Sequence, residues 1–137
     1  MLSEMGINCL VTFNFGYRVG IETATHAIQK FCNMLDHKAL GKKWNTKTES
    51  ERTKLFAFGE HMRSNAHWHG PGEIPEDTLR VMIRHGDDFW KKVAPRGQLA
   101  LECPPKSVRA IINYATKRLL EVDAMDRVVP YWPKRNK

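Results

Sequence analysis

Apolar residues recur along this chain with two periods, and the change from one to the other marks out its elements. Ile7 to Phe15 (INCLVTFNF) crowds β-branched and aromatic residues with imperfect alternation, which predicts a strand covered on both faces. From Glu22 to about Leu40 the apolar positions Ala24, Ala27, Ile28, Phe31 and Leu35 recur at helical spacing. Gly41 to Arg52 (GKKWNTKTESER) is polar and has no core signal, so it reads as a loop. Thr53 to Glu60 (TKLFAFGE) predicts a second strand and Ala66 to Gly70 a third, which Pro71-Gly72 should stop. Gly59 and the polar run Arg63-Ser64-Asn65 suggest a hairpin between them.

Pro75-Glu76-Asp77 places proline and acids where a helix begins. Leu79, Met82, Ile83, Phe89, Trp90 and Val93 continue it as an amphipathic stretch, interrupted at Gly86 and ended by Pro95 and Gly97. Gln98 to Cys103 (QLALEC) reads as a strand, Pro104-Pro105 as a break, and Ser107 as the N-cap of a last helix. In that helix Val108, Ile111, Ile112, Ala115 and Leu119 form one apolar stripe. The order β-α-β-β-α-β-α argues an α+β fold, a central and mostly antiparallel sheet with packed helices. One domain is expected over residues 1–125, with 126–137 a basic tail or linker.

Composition narrows the setting. The 137 residues carry 22 Lys and Arg against 15 Asp and Glu, a net charge of +7, so an anionic partner is expected and nucleic acid is the commonest one. Lys42, Lys43, Arg80, Arg84, Lys91 and Lys92 are the candidate DNA-contacting side chains; a solvated loop or helix face explains them equally well. Cys9, Cys32 and Cys103 sit far apart in no ligand spacing, which predicts reduced thiols and a cytoplasmic location. No apolar run reaches membrane-spanning length. Trp68, Trp90, Phe56 and Phe58 are expected in the core, and Trp44 and Trp132 are the better candidates for stacking on bases.

The candidate chemistry lies in HWH, His67 to His69. On a strand, residues two apart share a face, so both imidazoles point one way and the Trp68 indole the other. A hairpin would bring Glu60 alongside them, giving two imidazoles and a carboxylate as a partial shell for a divalent metal. Tyr114 and Lys117, three apart on the last helix, lie side by side at the edge of its apolar stripe.

Three stations thus follow in order: the apolar strand VTFNF (Val11 to Phe15), HWH, and YATK (Tyr114 to Lys117). Together, over Val11 to about Leu120, they resemble the HUH endonuclease superfamily in its replication-initiator branch. The resemblance implies a ferredoxin-like sheet, with His67, His69 and Glu60 as ligands of Mn²⁺ or Mg²⁺, Tyr114 as the nucleophile and Lys117 as the basic residue beside it. VTFNF matches only as an apolar strand holding a Thr and an Asn, and receives no catalytic role. Mobilisation relaxases place the nucleophile ahead of the histidines; Tyr17 stands there, but YATK follows the HWH.

The implied activity is metal-dependent nicking and joining of single-stranded DNA at an origin or hairpin, through a covalent 5′-phosphotyrosine. A helicase domain or host replication proteins are the expected partners. A phenol ionises only near pH ~10, so such a nucleophile needs a cation or a proton acceptor close by. Two alternatives stay open: a transposase-like relative, and a single-stranded DNA-binding module without catalysis.

Overall fold

The computed structural model describes residues 6–60, 67–120 and 128–133, and of Glu60, Arg118 and Leu119 the backbone alone. Five strands form one antiparallel sheet: β1 (Cys9–Asn14), β2 (Lys54–Glu60), β3 (His67–Glu73), β4 (Gln98–Glu102) and β5 (Val128–Tyr131), in the order β4-β1-β3-β2-β5. Three helices, α1 (Ile21–Leu40), α2 (Glu76–Val93) and α3 (Val108–Leu119), pack on it. The α+β class and the antiparallel sheet are those the element order argues, and the first four strands, ordered 4-1-3-2 with β3 inserted between β1 and β2, have a ferredoxin-like arrangement.

Alternation along the strands gives the sheet two different faces. On one, Val11 and Phe13 of β1 with Phe15 just after it, Leu55 and Ala57 of β2, and Trp68 of β3 meet the buried stripes of α1 and α2. Phe13 lies edge-on to Phe31 with ring centroids 5.4 Å apart, and Trp90 sits 5.0 Å from Phe13 with its Nε1 donating to Asn14 O. This is the main core. On the other face Phe56 and Phe58 meet α3, whose Ala115 is the one buried residue among its described side chains. Ser107 caps α3 as expected, its Oγ accepting from Ala110 N at 3.1 Å.

Four expectations need correction. The third strand does not stop at Pro71 but runs to Glu73, held by β1 through Leu10↔Pro71 and Cys9↔Gly72. Its ladder with β2 passes from Leu55↔Gly72 to Phe58↔His69, open opposite Pro71, which has no N–H to give. Helix α2 is unbroken at Gly86, because that position is buried against β4: a Cβ there would stand 3.0 Å from Leu99 Cδ2. The supposed tail supplies β5, which pairs with β2 and buries Val129 and Tyr131. Finally, Cys9 and Cys103 are joined in a disulfide rather than reduced. Antiparallel pairing sets Leu10 opposite Glu102, so the next step along both strands brings these cysteines together across 94 residues of sequence. That pairing removes the argument for a reducing compartment. Cys32 is a free thiol, buried, and burial together with the Asp36 carboxylate pushes its pKa well up.

A buried polar knot fastens β5 to the rest. Asp36 of α1 accepts from Thr53 N and Thr53 Oγ1 on Oδ1, and from Arg52 Nε at 3.0 Å on Oδ2. The Tyr131 hydroxyl accepts from Arg52 Nη2 at 2.6 Å and shares its proton between Asp36 Oδ2 and Asn33 Oδ1. Burial and the neighbouring Asp36 carboxylate raise the pKa of this phenol, so it stays neutral.

Candidate functional site

Register fixes which side chains share the α3 face, because directly opposed residues on neighbouring strands project the same way. One cross-strand row reads Phe58, His69, Thr12, Ala100. The next reads Glu60, His67, Asn14, Gln98. The two histidines are therefore neighbours on this face while Trp68, between them, is fully buried in the main core. The expectation that HWH splits its side chains across the sheet holds for this geometry. Arg63-Ser64-Asn65, the expected hairpin, lies outside the described residues, but Glu60↔His67 is the last pair before it.

Thr12 is the residue that sequence reasoning missed. Its Oγ1 stands 3.2 Å from His69 Nδ1, within hydrogen-bond reach. That contact orients the ring and directs Nε2 away from β1, as outer partners of metal-binding imidazoles commonly do. A signal was present: in an otherwise apolar strand, Thr12 and Asn14 are polar at a spacing of two, the same period as HWH. Asn14 has a local duty, its Oδ1 accepting from Gly16 N at 2.7 Å at the end of β1. Gly16 takes φ +81° there, and a Cβ would meet Arg96 O at 2.3 Å, so the turn needs glycine.

Helix α3 crosses above the His69 row. Between it and the sheet is a cavity of about 280 Å³, walled by Leu10, Phe58, Pro71, Ala110, Ile111 and Ala115, with His69 and Tyr114 as its polar members. The structure thus brings together two of the residues singled out from sequence, one imidazole of the pair and the phenol. Lys117 follows Tyr114 by about one turn and is exposed.

Two imidazoles and a carboxylate are donors suited to a divalent first-row ion or Mg²⁺. Among the described residues no group of three His, Cys, Asp or Glu side chains is placed to hold a metal. The third donor expected here, Glu60, is placed by backbone register alone, since its side chain is outside the described set. What the described side chains supply is two imidazoles on one face of the sheet, one of them held by Thr12.

The basic residues singled out from sequence are not brought to this site. Arg80, Arg84, Lys91 and Lys92 belong to α2, and Lys42 and Lys43 follow the C-terminal end of α1; both helices cover the opposite face of the sheet. Arg80 is paired with Glu76 at 2.7 Å on the surface of α2. Beside α3 itself stand Lys106, Arg109 and Lys117, all exposed. The candidate stacking tryptophans already have ring partners within the fold. Trp44 stacks on His37 with Arg52 over its ring at 4.9 Å, and Trp132 leans on Phe56 while its Nε1 donates to Glu49 Oε1.

No protein-family model, curated protein or solved structure matches the chain. The site is read from its own geometry.

Proposed function

We propose that this protein nicks and rejoins single-stranded DNA, with Tyr114 as nucleophile and His67, His69 and Glu60 holding Mn²⁺ or Mg²⁺. The observation that supports it is the placing of Tyr114 and His69 on one cavity, with His67 and Glu60 in the adjoining cross-strand row. Tyr114 packs beside Phe58 and Ala115 and also lines the cavity that His69 reaches, which gives its phenol a route to that imidazole.

When bound, the ion would polarise a non-bridging phosphate oxygen and offset charge building up in the transition state. The chain's own groups do the rest. Thr12 holds the His69 ring in one orientation. The Tyr114 oxygen bonds to phosphorus as the bond from phosphorus to the 3′-oxygen breaks. The phenolic proton leaves to solvent and the 3′-oxygen takes one up, giving a 5′-phosphotyrosine and a free 3′-OH. Lys117, about one turn along, is positioned to favour the phenolate or steady the phosphate. The covalent link conserves the phosphodiester bond energy, so the reverse attack reseals the strand. Replication initiation is the setting this chemistry suits, with strand transfer by a transposase-like enzyme as the variant on the same site.

Incubation with a mixed pool of single-stranded oligonucleotides and Mn²⁺, followed by mass analysis, should give a peptide containing Tyr114 that carries nucleotide. Tyr114→Phe should form no adduct, His67→Ala should lose metal-dependent cleavage, and Tyr17→Phe should behave as the unaltered protein. An adduct that persists in Tyr114→Phe refutes the assignment. DNA binding with no adduct under any metal would leave a binding module.

A further inference from the structure

The cavity under α3 is larger than the proposed chemistry needs and has the wrong character for phosphate. Six of its eight lining residues offer no side-chain hydrogen-bonding group, and the two that do, His69 and Tyr114, are the ones assigned to the reaction. A phosphate or sugar would find no polar partner deeper in. A flat, weakly hydrated ring needs none. At about 280 Å³ the space is just below the range of about 300–1,000 Å³ that small-molecule pockets occupy, so it suits one ring system rather than a run of nucleotides.

We propose that this cavity accepts one nucleobase of the DNA strand, next to the phosphate presented to Tyr114. The inference rests on the single-stranded DNA reading above and adds a site to it. Turning one base into the slot would lock its sugar, and so place the neighbouring phosphate against His69 and Tyr114. Beyond His69 and Tyr114, which face the phosphate in this reading, the lining side chains have no donor or acceptor to read a base edge, so the slot senses that a base is present rather than which one it is. Base identity would then have to be read elsewhere. The mouth is at Ala110, which is exposed although it lines the cavity. Leucine there blocks the entrance without crowding the core and keeps a good helix former in α3.

Equilibrium binding of a short oligothymidylate is compared with that of an abasic strand of equal length, so that backbone charge is the same in both. The unaltered protein should prefer the oligothymidylate by about tenfold, the order expected for burying one stacked base. Ala110→Leu should bring that ratio close to one while leaving affinity for the abasic strand unchanged. Asn113→Leu, on the exposed side of the same helix, should keep the ratio. Equal preference in the unaltered protein and Ala110→Leu overturns the inference, as does a drop in abasic-strand affinity in Ala110→Leu. The nicking proposal is judged separately by the Tyr114 adduct. An adduct with no base preference removes only the slot, and a base preference that Ala110→Leu abolishes, with no adduct, removes only the nuclease.

Discussion

At the scale of single residues, the histidine pair is placed by nothing more than the two-residue period of a strand. Trp68, between them, is the anchor: a large indole driven fully into the main core commits its two neighbours to the other side. What the imidazoles then do depends on Thr12. If the 3.2 Å contact holds the His69 ring in its orientation, Thr12→Val should weaken Mn²⁺ binding by about 10–100-fold, and Thr12→Ser should restore it. Titration calorimetry on the folded protein reads this directly. Unchanged affinity in Thr12→Val would deny Thr12 an orienting part. A second residue-scale test concerns Asp36, buried and bonded to Arg52, Thr53 and Tyr131. Asp36→Ala strands a nearly buried guanidinium and should cost about 3–5 kcal/mol in urea unfolding. Periodicity could show HWH and the Tyr114–Lys117 pair because their spacing is local. It could not show Thr12 at His69, since that contact spans 57 positions and depends on the β1–β3 register.

Among the elements, helices were the most legible. Helical spacing carries α1 to about Leu40, proline and acids mark the start of α2 at Pro75-Glu76-Asp77, and Ser107 caps α3. Strand ends were less so, because the signals for stopping are local and the reasons for continuing are not. Pro71 reads as a breaker, yet β1 pairs across it and the ladder with β2 simply opens there. Gly86 reads as a gap in a helix, yet it is where α2 comes close to Leu99 of β4. The largest misreading is β5. Val128 to Tyr131 is only four residues, with a proline among them and basic residues beyond. It becomes a strand because β2 has an unpaired edge to offer and Tyr131 has Asp36 to meet. A protein ending before Val128 should lose about 3–5 kcal/mol, from the Tyr131–Asp36 knot and the uncovered β2 edge, and should aggregate on mild heating. Melting followed by light scattering tests this. A shortened protein that melts like the full chain would return the segment to the status of a tail.

For the whole molecule, charge and function have to be assigned to the same side, and the sequence could not do that. A net charge of +7 says that an anion is welcome but not where. Helix α2 mixes its Arg and Lys with Glu76, Asp77, Asp87 and Asp88, whereas the α3 sequence has Arg109, Lys117 and Arg118 and no carboxylate at all. If single-stranded DNA lies on the Tyr114 face, Arg109→Gln with Lys117→Gln should weaken binding and flatten its salt dependence. The slope of log affinity against log salt should fall by about 0.7 for each phosphate contact removed. Arg80→Gln with Arg84→Gln should change neither quantity. The reverse pattern would move the strand to the helical layer, far from the phenol. Filter binding across a salt series distinguishes the two.

The sheet separates its burdens. One side holds the aromatic mass of Phe13, Phe31, Trp68 and Trp90 that keeps the chain folded; the other presents a thinly supported helix above two imidazoles. Two clusters on opposite sides of one sheet can be altered one at a time. Substitutions beneath α3 should reshape the cavity there and leave the aromatic packing on the far side, with most of the stability it supplies, in place.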